Sequence, residues 1–458
     1  MKVIVCGAGQ VGTSIARYLA QEGNDVTVID VSPDVMRKVA DTLDVKMVTG
    51  YASHPDVLQL AGANDAEMLI AVTYSDEVNM IACQIGHSLF NITTKIARIR
   101  QQGYLESHWS DLYTRDNLPI DVVISPEREV ARAIARRLEL PGAFDMISLV
   151  DDKVKLAGVR INENCPVINA PLRRLTHLFP DLNVVITGIV RGEKSFIPDA
   201  EEKLLVGDEI YFVVDSLHLE RAMVAFGHEE HRAHRIVIFG GGNVGEYLAQ
   251  QIEEEHPSVN LKVIELDKAK AERVASGLKS SVVLQGSALD GGILEEANAA
   301  AAETAIAVTN DDETNILATL LAKRKGSKRV IALVNSEVYA PLTPSLGVDV
   351  IVGPRGITVS SILHHVRRGR IHSVHTLRDN FGELIEAEAV ETSGLVGKPL
   401  READLLPDAI VCAIVRGNAV IVLRGDTVVE EGDRIVIFAR SMAVRDVEKL
   451  FAVGLEFF

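Results

Sequence analysis

A chain of 458 residues, 47% hydrophobic and 24% charged, is long enough for about two to four domains with a core each and too apolar to be disordered. Its 64 acidic residues against 47 basic leave a net charge of −17, which repels a phosphate backbone and argues against nucleic acid as a partner. Four scattered cysteines (Cys6, Cys83, Cys165, Cys412) lack disulfide or metal spacing, as in reduced cytosolic proteins, and no apolar run approaches the roughly 18 residues of a membrane span.

The opening strand, Val3–Cys6, stops at Gly7, too soon for a signal-peptide core. A helix is expected over Thr13–Glu22, a strand over Asp25–Ile29, a helix over Pro33–Leu43, a strand over Met68–Val72 and a helix over Glu77–His87. Short β-branched runs alternating with helical patterns make βαβ units and a parallel sheet. Pro126 suits the first position of a following helix. In that helix Val130, Ile134 and Leu138 form an apolar stripe fit to pack on another domain or subunit. After the break at Pro141–Gly142 the pattern changes to hairpins. A turn falls at Arg191–Glu193, a short helical piece near Pro171–Leu178 and a strand at Ile210–Val214, which together read as a small α+β module. Linkers are expected at Leu140–Phe144, Gly227–His234 and Gly369–Val374.

The pattern is then written a second time. KVIVCGAGQVGTSIARYLA from Lys2 returns as RIVIFGGGNVGEYLAQQI from Arg235, with the first glycine displaced by 233 positions. VIDVSPDVMRKVA returns as VIELDKAKAERVA, and AVTYSDEVNM as AVTNDDETNI. Farther on, Asp121 and Pro126 match Asp349 and Pro354; CPVINAPLRRL (Cys165–Leu175) resembles GLVGKPLREA (Gly394–Ala403), and VGDEIYFV resembles EGDRIVIF. The fold class expected is α/β: two Rossmann-like, doubly wound parallel-sheet domains, each followed by a small α+β module, in tandem duplication. The domains expected are 1–125 with a crossover helix to 140, 145–228, 232–353 with a crossover helix to 369, and 372–456.

Gly7, Gly9 and Gly12 form GxGxxG between a strand and a helix, the context in which this spacing binds a dinucleotide. The first glycine permits the turn, the second lets backbone approach a pyrophosphate, and the third lets helix and strand pack. The helix N-terminus then offers unpaired N–H groups. Asp30, ending the second strand, is placed for ribose hydroxyls and disfavours a 2′-phosphate. Gly240, Gly242, Gly245 and Glu265 repeat the set. Thr73–Tyr74 and Thr309–Asn310 fall where the adenine edge is lined. Arg98 and Arg100 suit phosphates, and with Ala332 and Val334 read as their counterparts the first site is expected to favour the more highly charged ligand.

Other candidates have plainer readings. Asp76–Glu77 and Asp312–Glu313 begin helices, where capping and ligand roles stand level. Asn79 and Asn315 are expected to bond the neighbouring loop. His228, His231 and His234, like His364, His365, His372 and His375, read as solvated linker residues rather than metal ligands. The Arg132, Arg136, Arg137 face is either solvated or an interaction surface. Cys6 aligns with Phe239 and reads as core. The small modules share turn glycines and aspartates but no matched His, Lys or Tyr, so a proton-transfer group for a dehydrogenase is not in evidence.

GAGQVG, SHPDVL (Ser53–Leu58), AVTYSDEVNM, AVTNDDETNI and the duplicated small units together resemble the cytosolic regulators of bacterial Trk potassium uptake, over essentially the whole chain. The resemblance implies two RCK-type nucleotide-binding domains, each with its C-terminal module, in a homotetrameric ring. Such a ring is peripheral to the cytoplasmic face of the inner membrane, beneath an integral-membrane potassium-conducting Trk subunit. It implies NAD or NADH as ligand and, in some members, ATP or ADP, with no catalytic residues. The first site would use Gly7, Ala8, Gly9, Gln10, Val11, Gly12, Asp30, Tyr51, Thr73, Tyr74 and Arg98. The second would use Gly240, Gly241, Gly242, Asn243, Val244, Gly245, Glu265, Ser287, Thr309 and Asn310. An NAD-dependent oxidoreductase, or a regulator of another cation transporter or antiporter, is the alternative.

Overall fold

The protein is described by a computed structural model that covers every residue except 22, 180–181, 193, 337, 340–341, 343–345, 367–370, 378–380, 403–407 and 452–458. The expected helix end at Glu22, the turn residue Glu193, the linker start at Gly369 and the repeat end at Ala403 therefore lie outside the described residues.

The first sheet is built from β1 (Lys2–Cys6), β2 (Asp25–Asp30), β3 (Lys46–Thr49), β4 (Met68–Ala71), β5 (Thr94–Arg98) and β6 (Val122–Ile124). All pair in parallel, in the order β3-β2-β1-β4-β5-β6. Helices α1 (Gln10–Gln21), α2 (Pro33–Ala40), α3 (Pro55–Leu60) and α4 (Asp76–Phe90) connect them, and the crossover helix α5 (Pro126–Glu139) leads away. This doubly wound order reverses direction between β1 and β4, opening a crevice at their carboxyl ends. Helix α1 starts at Gln10, three residues before the expected Thr13, because its first turn is the glycine loop itself. Sequence reading passed over β3 and α3, whose four and six residues are too short to carry a period.

The small module follows: β7 (Ala143–Leu149), β8 (Val154–Arg160), α6 (Arg173–Leu178), β9 (Val184–Arg191), β10 (Lys194–Phe196), β11 (Glu209–Asp215) and α7 (Leu219–Ala225). Its sheet is antiparallel, in the order β10-β9-β11-β8-β7. The second half repeats both. β12 (Arg235–Phe239), α8 (Asn243–Glu255), β13 (Asn260–Glu265), α9 (Lys268–Gly277), β14 (Val282–Gln285), α10 (Gly291–Glu296), β15 (Thr304–Ala307), α11 (Asp312–Lys325), β16 (Arg329–Leu333) and β17 (Val350–Val352) form a parallel sheet ordered β14-β13-β12-β15-β16-β17. A second crossover helix (Pro354–Val366) precedes β18 (Ile371–Thr376), β19 (Gly382–Glu388), β20 (Ala409–Arg416), β21 (Ala419–Ile421) and β22 (Arg434–Arg440), ordered β18-β19-β22-β20-β21. Residues 371–374, expected as linker, are thus strand, pairing with β19 across a register shift between Ile371 and Ser373.

The four sheets fall into two compact units, Met1–Ile134 with Arg235–His365 and Ala135–His234 with Val366–Phe458. The first holds both parallel sheets, the second both antiparallel ones. In the second unit the run IYFVV of β11 faces two cores at once. Ile210, Phe212 and Val214 join the core of their own module, while Tyr211 and Val213 join Phe381, Leu384, Val436 and Phe438 in a cluster shared by both modules. The period-2 alternation of a strand therefore reads as an unbroken apolar run, because neither face meets water. β22 does the same, sending Ile435 and Ile437 one way and Val436 and Phe438 the other.

Candidate functional site

Each parallel sheet ends in the same construction. The chain leaves β1 at Gly7, with φ +105°, a conformation only glycine adopts without strain; Gly240, at φ +106°, does the same after β12. A Cβ on Gly7 would meet the backbone of Thr73 at 3.0 Å, and one on Gly12 would sit 1.8 Å from the carbonyl oxygen of Gly7. At Gly245 the distance to the Gly240 oxygen is 1.9 Å. Gly7 and Gly12 are therefore demanded by the protein's own packing. Gly9 and Gly242 are different: a Cβ there meets nothing within 4 Å, and neither has positive φ. The open space lies over the N-termini of α1 and α8.

The acid at the end of the second strand holds this loop from below. Asp30 accepts Ala8 N–H at 2.7 Å and Ser32 N–H at 2.9 Å. Glu265 accepts Gly241 N–H at 2.6 Å and Asp267 N–H at 2.9 Å. Each carboxylate thus fixes the loop on one side and the following helix on the other, with lone pairs remaining for a ligand hydroxyl. Gly50 N–H bonds the Asp30 carbonyl at 3.0 Å, which sets Tyr51 beside Asp30; its exposed ring leans on His54 with centroids 5.2 Å apart. Ser287, the counterpart, accepts Leu289 N–H at 3.2 Å.

Across the crevice, fully buried Asn79 organises the far wall. Its Oδ1 accepts Thr73 N–H at 2.8 Å and Thr73 Oγ1–H at 2.6 Å, and its Nδ2 donates to the carbonyls of Thr73 and Arg98 at 3.2 and 2.9 Å. Asn315 repeats all four bonds with Thr309 and Leu333. The loop-bonding role expected of both asparagines is what they perform. Asn79→Ala should take the side-chain partner from the Thr73 N–H and the Arg98 carbonyl, costing about 2–3 kcal/mol, read as a lowered urea midpoint at unchanged slope.

Asp76 and Asp312 cap no helix. Ser75 and Asp311 are the capping residues, accepting from Val78 and Thr314. Asp76 instead accepts Arg100 N–H at 2.9 Å and Gln101 N–H at 2.8 Å, and Asp312 accepts Asn335 and Ser336 N–H. Both acids pin the chain just after the fifth strand. Tyr74 and Asn310, by contrast, project into solvent.

The two arginines part company. Arg98 donates from Nη2 to the Thr73 carbonyl at 3.0 Å, while its buried Nε has no protein partner. Burial first, then repulsion from Arg100, hold its pKa below the usual arginine value, so an anion in the crevice would relax it. Arg100 is committed elsewhere: its Nε bonds Glu127 at 3.0 Å and its guanidinium lies over the Tyr74 ring. Burial lowers its pKa, but Glu127 outweighs that and raises it overall. Arg100 is thus not a free phosphate ligand. The assigned counterparts also need correction. Strand pairing aligns Ala97 with Val123 in the first sheet and Ala332 with Ile351 in the second, so Arg98 corresponds to Leu333 and Arg100 to Asn335, not to Ala332 and Val334. The asparagine bonds to Arg98 and Leu333 give the same register.

Among the described residues no group of three or more His, Cys, Asp or Glu could hold a metal ion. His228 is not solvated as expected but buried, its Nε2 at 2.9 Å from the Arg160 carbonyl and its Nδ1 at 3.1 Å from Glu230. All four cysteines are buried free thiols, and burial pushes Cys6 up to about 12. Arg137 is neither solvated nor an outer surface, since it bonds Asp145 at 2.6 Å and the Phe144 carbonyl at 3.1 Å.

Comparison with known proteins places this geometry. Residues 3–126 and 236–354 match the TrkA-N domain, and 156–227 and 384–452 the TrkA-C domain. The Trk system potassium uptake protein TrkA of Azorhizobium caulinodans is 52% identical over all of both chains. That of Halomonas elongata is 40% identical, again over all of both chains. Among solved structures, the GsuK channel bound to NAD superposes with a TM-score of 0.60 at 18% identity, covering 98% of this chain and 78% of that one, a likeness of fold. Both TrkA domain types, each present twice and in alternation, together with full-length identity to TrkA proteins, establish that the chain belongs to the TrkA family of Trk system potassium uptake proteins.

Proposed function

We propose that the chain is the nucleotide-sensing regulatory subunit of a potassium uptake system. Each glycine loop binds an adenine nucleotide, NAD or NADH and also ATP or ADP, and the bound state of a homotetrameric ring gates an integral-membrane potassium-conducting subunit at the cytoplasmic face. The sites are those expected from the sequence, with Tyr51, Thr73, Tyr74 and Arg98 around the first loop and Ser287, Thr309 and Asn310 around the second. Among the described residues no helix is long and apolar enough to cross a membrane, so this reading assigns ion conduction to the partner.

The observation that carries the reading is Gly9, with its repeat at Gly242. Neither backbone dihedral nor packing asks for glycine there, whereas a pyrophosphate resting on a helix N-terminus does. Arg98, desolvated and with an unpaired Nε, supports it from the opposite wall. The TrkA relatives are potassium uptake proteins by name, and the GsuK structure holds NAD. The carboxylates nearest the loops hold backbone amides, which suits binding and conformational work of about 1–3 kcal/mol per site rather than a covalent step.

The test is thermal unfolding of the purified chain with NAD, NADH, ATP and ADP. A ligand at 100 times its Kd adds about 2.7 kcal/mol to the folded state, and Asp30→Ala and Glu265→Ala should each abolish one site's share. If no nucleotide raises stability, the reading fails. Steady turnover of NADH with a physiological substrate, lost on Asp30→Ala, would favour the oxidoreductase alternative instead.

A further inference from the structure

We infer that the two small modules carry a one-way pairing code, a ring of the second seated on a bare glycine of the first, so that each fits the other and neither fits a copy of itself. The partner this face selects is the other module of the duplicated chain. A second copy of the same module is rejected, whatever ligand the parallel-sheet domains hold.

The cluster shared by the modules is built from matched positions. Leu149 and Leu156 of the first module enter it with Leu377 and Leu384 of the second, and Tyr211 and Val213 enter with their counterparts Val436 and Phe438. Strand pairing fixes the correspondence. Tyr211 pairs with Gly188 across β11 and β9, and Val436 with Ala413 across β22 and β20, each beside a register shift. Gly188 therefore corresponds to Ala413. Val154 pairs with Asp215 at the start of β8, and Gly382 with Arg440 at the start of β19, so Lys153 corresponds to Phe381. Equivalent surfaces of two similar modules meeting in this way have the geometry of a twofold pair, in which like could meet like.

At Gly188 the likeness stops. Its backbone is not left-handed, and inside a strand glycine weakens the structure. What asks for it is Phe381: a Cβ on Gly188 would meet that ring at 2.2 and 2.5 Å. Phe381 is buried, its centroid 5.1 Å from that of Phe438. The converse contact has no ring. Lys153 donates to the Gly417 carbonyl and to Asn418 Oδ1 at 3.0 and 2.9 Å, and Ala413 keeps its methyl. If two second modules met, Phe381 of each would face the Ala413 methyl of the other, the contact that Gly188 avoids. If two first modules met, a lysine would lie over each Gly188, and the space that the ring fills would become a cavity. Charge adds a smaller bias in the same direction. Arg434 lies 3.6 Å from Asp151 of the first module. Glu209 holds the position of Arg434 in the first module, the two pairing with Val190 and Val415, so a pair of first modules would set a carboxylate against Asp151. Both rejected pairings thus contain a repulsive or empty element, which is how a surface tells similar partners apart. Copies of the chain brought together in one assembly offer first–first, second–second and first–second pairings, and the code leaves the last.

The experiment rebuilds the rejected pairings inside one full-length chain. Gly188→Ala with Lys153→Phe gives both modules the face of the second, and Ala413→Gly with Phe381→Lys gives both the face of the first. All four substitutions together exchange ring and glycine between the modules. Thermal unfolding is read alongside amide hydrogen exchange of β9 and β20. Each symmetrical chain should melt at least about 5 °C below wild type and exchange about 10-fold faster in both strands, while the exchanged chain regains at least half of either loss. A symmetrical chain as stable and as protected as wild type overturns the code. So does an exchanged chain no better than the symmetrical ones, because it carries the substitutions of both and differs from them only in which residues face each other.

Discussion

Gly12→Ala is expected to destabilise the first parallel-sheet lobe by at least about 3 kcal/mol, while Gly9→Ala, three residues away, leaves stability unchanged or slightly raised and abolishes nucleotide binding at that site. The two effects have separate origins. At Gly12 the new methyl would lie 1.8 Å from the Gly7 carbonyl oxygen, an atom held by the backbone bond from Gly7 N–H to Ile29 O at 2.7 Å. Neither side can yield without separating α1 from β1. Alanine's better helix propensity returns only about 1 kcal/mol, so the clash wins. At Gly9 the methyl enters open space, and restricting the unfolded chain gives up to about 1 kcal/mol in favour of the folded state. What it obstructs is whatever rests on the loop. Urea unfolding monitored with and without NADH or ATP separates the outcomes. Gly9→Ala protein that binds nucleotide as wild type does would show that the space over the loop is not the phosphate seat. Gly245→Ala and Gly242→Ala should divide the same way in the second half, with the Gly245 methyl 1.9 Å from the Gly240 oxygen.

These positions were legible in the sequence because their constraint is local. Three glycines at fixed spacing after a β-branched run specify a strand, a turn and a helix start, and a second copy specifies a second sheet. Parallel order followed for the same reason, since short strands alternating with helices leave few topologies. The supporting residues were harder to see. Asp76 accepts amides 24 and 25 positions away, and nothing in its immediate sequence distinguishes it from an ordinary helix-start acid. His228 reads as a linker residue by its neighbours and is buried by the Arg160 strand 68 positions upstream. The hydrogen bond from Arg355 to Ser14 of α1 spans 341 positions, and no periodicity encodes it. The pairing of sheets by type within each compact unit was equally out of reach, although the unbroken IYFVV run of β11 was its trace: an antiparallel strand with two apolar faces has two cores to fill.

Arg191→Ala is expected to cost the first small module about 3–5 kcal/mol, and more than Asp208→Ala, although the two residues are ion-paired with each other, Arg191 pairing with Glu202 as well. Asp208 Oδ1 and Oδ2 accept Arg191 Nε and Nη2, both at 2.8 Å, and Oδ2 also accepts Leu205 N–H at 2.9 Å. Arg191 Nη2 closes the arrangement by donating to the Lys203 carbonyl at 2.7 Å. The fork ties the loop 203–208 to β9, so it anchors the hairpin that delivers β11 to both cores. The asymmetry follows from exposure: the Asp208 side chain is 2% exposed and that of Arg191 33%. Removing the arginine strands a carboxylate where water cannot reach it, the situation that makes a broken buried pair expensive. Removing the aspartate leaves a guanidinium that water already touches and that keeps Glu202 at 3.2 Å, together with one unpaired amide, for about 1–3 kcal/mol. In the double variant, Arg191→Ala with Asp208→Ala, the loss should fall back to about that of Asp208→Ala alone. The second module contains the same fork, with Arg416 Nε and Nη2 on Asp433 at 2.9 Å and Glu430 N–H at 2.8 Å. Its carboxylate is 1% exposed and its guanidinium 36%, so the same ranking is expected there. Equilibrium urea unfolding of the three variants tests it, and an aspartate variant less stable than the arginine variant would mean that the carboxylate's hold on the loop amide, not the ion pair, carries the energy.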